Sequence, residues 1–315
     1  MPIKYSCVMD TPARFQHQTL LWALTLLQRG GQSPGNLVVH AIEGASQRQI
    51  GVLRDLGIQV DVVRRYSAVH PFLNKLRQLE SETLHAADYV VLCDTDLAFC
   101  APIDAWVTGE RARIKIVDVA NPPLAIWKTL FEAAGFSVPP RPAPTSLDGK
   151  ETYANNCNGG LYILPRSVFA ALPAAWPRWV EWVLRQGSIL GRFRTHVSQI
   201  SFALVMEEMG MAVDLLPLAL NFPTNLPVPG LADHDVDPAV IHYHGNLDSA
   251  GRLNPIGLPK VDSAIAATNS LMADQAASAL MQDYRRRIDQ ANGMPERARM
   301  QLSRVVRKLR KTARI

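Results

Sequence analysis

Short apolar runs alternate with longer amphipathic stretches through the first hundred positions. Residues 3–9, 36–42, 58–64 and 89–93 are β-branched or aliphatic runs of strand length. Between them, residues 12–29, 47–56 and 71–84 place apolar side chains at helical spacing. Thr11 stands before Pro12 as an N-cap, and Gly30-Gly31 and Gly57 close the first two helices. Strands alternating with helices imply right-handed βαβ units and a mostly parallel sheet flanked by helices, an α/β fold.

The second half is less regular. Residues 113–119, 161–164, 213–216 and 240–243 read as strands, and 124–134, 168–185 and 196–209 as helices. Residues 138–150, V-P-P-R-P-A-P-T-S-L-D-G-K, read as a proline-rich loop without core-forming content, and 225–238 as another loop. From Val261 the pattern becomes alanine-rich and helical. The expected division is a domain over 1–258 and a helical, basic appendage over 259–315.

Composition narrows the class. A chain of 315 residues that is 48% hydrophobic can bury a sizeable core. Cys7, Cys93, Cys100 and Cys157 form no C-x-x-C pair and are expected as reduced thiols of a cytoplasmic protein. The N-terminus runs into a strand without a signal-peptide pattern, and no apolar stretch approaches the ~20 residues of a membrane span.

The net charge of +5 is unevenly spread: residues 285–315 hold eleven Lys/Arg and two acids, a net of +9, so the first 284 residues carry −4. In that tail Leu302, Val305, Val306 and Leu309 form a stripe among basic residues. The pattern suits peripheral attachment of 295–315 to an anionic membrane surface, expected at the inner face, or a solvated helix packing its stripe on the body. No nucleic-acid-binding motif accompanies it, so no nucleic acid is expected as a partner.

The chemistry centres on Asp94-Thr95-Asp96, which directly follows the apolar run Tyr89–Cys93. Two carboxylates at the C-terminal end of a strand lie where open α/β sheets bind ligands. If the chain turns there, both can converge on a divalent cation such as Mg²⁺ or Mn²⁺, whose shell substrate phosphates complete. Three later segments carry polar groups: Asn155-Asn156-Cys157-Asn158-Gly159-Gly160 entering an apolar strand, His196-Val197-Ser198-Gln199 opening a helix, and Ile241-His242-Tyr243-His244-Gly245 leaving a strand. Each has an ordinary reading as well: a turn, a helix N-terminus, and a satisfied polar histidine.

Taken together and in this order, the four segments resemble the GT-A-type glycosyltransferases, closest to the retaining family of glycogenin and the lipopolysaccharide galactosyltransferases. The likeness covers roughly residues 3–250. It implies a GT-A-like sheet and a metal-dependent hexosyltransferase, moving a sugar from a nucleotide-diphosphate sugar, a UDP-sugar first, to a glycan or lipid-linked acceptor. Mn²⁺ or Mg²⁺ would be held by Asp94, Asp96 and His242, with His242 preferred over His244 because it matches the motif. Asp10 would face the base and ribose. Asn74, Lys75 and Arg77 would turn towards the donor, the two cations having a solvated helix face as their ordinary alternative. Gln199 and Asn158 would stand by the reacting sugar.

Two positions depart from the family pattern. An acid is usual where Ser198 stands, and a diphosphate-contacting lysine where Asp248 stands. Another cation is therefore needed, with Arg252 and Lys260 nearest in sequence. Two rivals share features. A haloacid-dehalogenase-like phosphatase also uses D-x-D, but on its first strand and with a later acidic pair that is lacking here. A degenerate nucleotide-sugar-binding or scaffold protein would accommodate Ser198 and Asp248. The acidic stretch Asp233-His234-Asp235-Val236-Asp237 is no EF-hand loop, because Pro238 and His244 stand where glycine and glutamate belong.

Overall fold

A computed structural model describes residues 2–225 and 231–271. The basic tail and its apolar stripe lie outside the described residues. Strands β1 (Ile3–Met9), β2 (Leu37–Ile42), β3 (Gln59–Val63) and β4 (Tyr89–Cys93) are parallel, in spatial order β4-β1-β2-β3. Helix α1 (Ala13–Gln28) connects the first two and α2 (Gln47–Asp55) the next two, with the short α3 (Glu82–His85) before β4. Ser46 Oγ caps α2 by accepting from Gln49 N. Thr11 does not cap α1. Pro12 takes that position, and the Thr11 hydroxyl lies between Asp10 and Arg65.

Residues 71–80 form a 3₁₀ helix where an α-helix is expected. Leu73, Leu76 and Leu79 are all buried and three residues apart, so three residues per turn keep them on one line. After β4 comes β5 (Leu97–Phe99), which follows the D-x-D turn so closely that its apolar pattern reads as a continuation. Then come β6 (Arg113–Ile116) and α4 (Leu124–Ala134). The proline-rich segment holds a hairpin of β7 (Pro142–Pro144) and β8 (Glu151–Tyr153). Ala143, between the two prolines, is the one residue of β7 that keeps a backbone donor, an arrangement that prolines permit only in an edge strand.

Strand β9 (Cys157–Pro165) inserts antiparallel between β4 and β6. Helix α5 (Arg166–Arg185) runs through Pro173 and Pro177 to α6 (Gly187–Leu190), and a 3₁₀ turn leads into α7 (Val197–Glu208). β10 (Asp214–Leu215) pairs parallel with β6 and completes a seven-stranded sheet, β10-β6-β9-β4-β1-β2-β3. β9 alone runs antiparallel in that sheet. A small sheet, β11 (Phe222–Pro223), β12 (Val240–His242) and β5, lies apart from it.

Side-chain alternation feeds two apolar layers. Val90, Leu92, Tyr162 and Leu164 pack with α5 and α7, while Val91, Cys93, Leu161 and Ile163 pack with α1 and α2. Val261 and Ile265 of α8 (Pro259–Leu271) join Leu20, Leu21 and Leu24 of α1, so the helix after 258 is packed on the body. Cys7, Cys93 and Cys157 are buried, Cys100 is half-buried, and none is paired. Among the described residues no helix is long and apolar enough to cross a membrane.

Trp176 locks α5 to α7. Fully buried against Tyr162 and Phe202, it donates Nε1–H to Ser201 Oγ at 2.9 Å and to the Ser198 carbonyl at 3.2 Å. Trp176→Ala is expected to lower the unfolding free energy by about 3–5 kcal/mol in urea denaturation, because a buried aromatic is lost along with its bonds. An unchanged midpoint would contradict this packing.

Candidate active site

The carboxyl ends of β1 and β4 open onto a cleft of about 470 Å³ that includes Asp10, Lys75, Asp94, Asp96, Asn158, Gln199 and His242 among its walls. Its geometry starts at the D-x-D turn. β4 belongs to the main sheet and β5 to the small one, so Asp94-Thr95-Asp96 is the step between them. In the small sheet Leu97 pairs with His242, and the Tyr243 amide donates to the Asp96 carbonyl at 3.0 Å. That register carries the Asp96 carboxylate to 3.3 Å from His242 Nε2.

His244 joins them. Its φ of +49° is unusual for a residue with a Cβ, and its ring stacks on His242 with centroids 3.5 Å apart. One donor atom each from Asp96, His242 and His244 lies within 4.8 Å of the others, close enough to share one ion. Asn221 Oδ1 lies 2.9 Å from His242 Nδ1. With Nδ1–H donated there, Nε2 is the nitrogen that faces Asp96: it shares a proton with the carboxylate when no ion is bound and would give that proton up to bind one, the usual outer support of a metal-binding imidazole.

Electrostatics suit a cation. Burial pushes the Asp96 carboxyl up, but the His242 charge and hydrogen bond outweigh it and hold the group below the usual carboxylate range. Desolvation, followed by the neighbouring His242, pulls the His244 imidazolium down to about 3. At neutral pH the cluster therefore offers an anionic carboxylate and a neutral His244 nitrogen. One carboxylate and two imidazoles fit a first-row divalent ion.

Asp94, expected beside Asp96 in the metal set, sits on the adjoining wall. Its Oδ1 is 2.8 Å from Lys75 Nζ, which also donates to the Gly159 carbonyl at 2.8 Å. Asp10 is gripped by Arg65 through contacts of 2.6 and 3.0 Å, and Asn74 donates to it at 3.2 Å. Asn158 Oδ1 accepts from Gly160 N and Asn221 Nδ2, while its own amide nitrogen reaches Asp118. Asp118 is salt-bridged to the buried Lys115. Gln199 Nε2 donates to Asn156 Oδ1 and the Asn121 carbonyl, which leaves its Oε1 as the acceptor it can present to a ligand.

Arg77 is not brought to the cleft: its guanidinium serves the carbonyls of Arg64 and Arg65 and the Glu80 carboxylate. Neither cation sought near Asp248 reaches the cleft. Arg252 closes a turn on Asp248 at 2.9 Å, and Lys260 faces Asp237 at 3.9 Å in another groove. His244, Asn221, Arg65 and Asp118 were not singled out from the sequence as site residues. Only His244 had a signal, its place beside His242 in H-Y-H-G.

Comparison with solved structures decides the architecture. The galactosyltransferase LgtC, solved with donor and acceptor sugar analogues, superimposes with a TM-score of 0.56 at 12% identity, over 86% of this chain and 97% of that one. The fold is that of the GT-A-type glycosyltransferases. The bifunctional glycosyltransferase WbbM gives a TM-score of 0.52 at 11% identity over 89% of this chain, which spans about half (51%) of that protein. GlyE of Streptococcus pneumoniae gives 0.50 at 11% identity, over 89% of this chain and 63% of that one. No protein-family model matches the chain, and no curated protein matches it by sequence.

Asn221→Ala should weaken Mn²⁺ binding roughly 10- to 100-fold in calorimetry while the thermal midpoint stays within a few degrees, the pattern of a lost outer support. Unaltered Mn²⁺ affinity would mean that Asn221 does not orient His242 for a metal.

Proposed function

We propose that the chain is a metal-dependent glycosyltransferase that takes a hexose from a nucleotide-diphosphate sugar, a UDP-sugar first, and passes it to a glycan or lipid-linked acceptor. The observation that carries this reading is the Asp96–His242–His244 cluster on the wall of a cleft in a GT-A fold. Asp96, His242 and His244 would hold the ion, with Asp94 adjoining, and the two imidazoles favour Mn²⁺ over the oxygen-demanding Mg²⁺. Such an ion supplies Lewis-acid stabilisation of negative charge on a departing diphosphate.

The protein's own groups define the rest. Asp10, fixed by Arg65 and Asn74, would face the base and ribose from the cleft wall. Lys75 ties Asp94 to the Gly159 carbonyl and the Asp94 amide donates to the Gly160 carbonyl at 2.8 Å, so β9 is held against the D-x-D turn. Gln199, with its nitrogen anchored, presents a neutral acceptor oxygen where positive charge grows at the anomeric carbon. The retaining course rests on the sequence resemblance. One solved structure of LgtC is of an active-site glutamine-to-glutamate mutant, so a glutamine belongs to the active site of that protein.

The test is release of nucleoside diphosphate from a panel of UDP- and GDP-sugars with Mn²⁺. Turnover should stop in excess chelator, and Gln199→Ala should lower kcat about 100-fold with little change in donor affinity. Turnover that persists in chelator contradicts the metal role, and unchanged kcat removes Gln199 from the reaction. Donor binding without any turnover would favour the scaffold reading.

We also propose that residues 295–315 tether the protein to the anionic inner face of a membrane. The support is the charge split and the stripe of the tail. Deleting 295–315 should abolish sedimentation with phosphatidylserine vesicles and spare donor turnover. Equal sedimentation of the truncated protein would contradict the tether.

A further inference from the structure

The charged groups that meet at the cleft are paired, with one exception. Asp10 faces Arg65, Asp94 faces Lys75, and Asp96 faces His242. Arg14 lines the same cleft from the first turn of α1, and that turn contains no acidic residue. Among the described residues it has no carboxylate partner. Its guanidinium lies over the Phe15 ring, 4.9 Å from the centroid, and Phe15 also lines the cleft. A guanidinium laid on an aromatic face is partly ordered before any ligand arrives, so less side-chain entropy is lost on binding.

We propose that Arg14 is the phosphate-binding cation of this cleft, and that it contacts the diphosphate of the nucleotide carried by the donor. The inference rests on the glycosyltransferase reading above and adds the residue that completes the charge balance. A divalent ion on Asp96 and two neutral imidazoles leaves one net positive charge. A nucleotide-diphosphate sugar brings about two negative charges, and more develops on the diphosphate as the sugar leaves. Lys75 and Arg65 are already committed to carboxylates, and Arg252 and Lys260 are turned elsewhere. Arg14 is the cleft cation left to meet the excess. Its planar fork offers two parallel N–H donors in a fixed geometry that matches two phosphate oxygens, an orientation that an ammonium does not impose.

Calorimetry of UDP and GDP, with Mn²⁺ present, tests this on the full chain, using uridine and guanosine as controls. Arg14 is exposed, so its replacement leaves the core intact. Arg14→Ala should weaken binding of the preferred nucleoside diphosphate on the order of tenfold or more and leave the matching nucleoside unchanged. Arg14→Lys should restore part of the loss, since it returns the charge without the fork. If Arg14→Ala binds the diphosphate as tightly as the parent chain, the assignment is wrong. If nucleoside and diphosphate weaken equally, Arg14 serves the base or ribose and the assignment is also wrong. If the parent chain binds neither diphosphate with Mn²⁺, the glycosyltransferase reading itself fails. That outcome is distinct, because it is seen before any substitution is made.

Discussion

His242 can stand beside Asp96 only because residue 160 has no side chain. A Cβ on Gly160 would lie 2.5 Å from His242 Cε1 and 2.7 Å from Nδ1, far inside contact distance. The glycine is where β9 of the main sheet passes β12 of the small sheet, so a single missing methyl sets how closely the two sheets approach. Asn158 reinforces the contact from the same strand: its Oδ1 takes the Gly160 amide and the Asn221 side chain, and Asn221 in turn holds the His242 ring. The geometry of the Asp96–His242–His244 cluster is thus a property of the junction between sheets, and of the β9 residues that close it.

That junction also separates the two aspartates of the D-x-D turn. Thr95 is buried between them, and its neighbours face different partners. Asp96 follows the small sheet to the histidines, while Asp94 stays with Lys75 beside the main sheet. Pairing Asp94 with an ammonium spares the cleft an uncompensated carboxylate, which would repel any phosphate entering it. Arg65 does the same for Asp10. The cleft is therefore acidic in sequence yet close to neutral in structure.

Much of this was legible from the chain alone. β1, β2, β3 and β4 combine β-branched composition with helical punctuation between them, so local preference and tertiary burial agree. The acids at the end of β4 inherit their position from that pattern. The misreadings share a cause: each depends on a partner distant in sequence. Residues 142–144 form a strand only because 151–153 lie alongside. Residues 71–80 take three residues per turn because their leucines must meet one line of the core. His244 reaches the cluster through a left-handed backbone, which its side chain does not advertise. Asn221 and Arg65 lie in segments without periodicity, and their roles arise from contacts 21 and 55 positions away. Arg77, which the family resemblance turned towards the donor, instead serves the carbonyls after β3 from a segment that is 3₁₀.

The fold places a cleft at the right end of the sheet, but the claim that makes it an active site is that Asp96, His242 and His244 together hold one divalent ion. Pulsed electron paramagnetic resonance on the Mn²⁺-loaded protein reads this directly, because a nitrogen bound to the ion modulates the echo. The account predicts one Mn²⁺ per chain, with coupling to two histidine nitrogens that falls to one in His244→Ala and in His242→Ala. A spectrum of fully hydrated Mn²⁺, without nitrogen coupling in the parent chain, would contradict it.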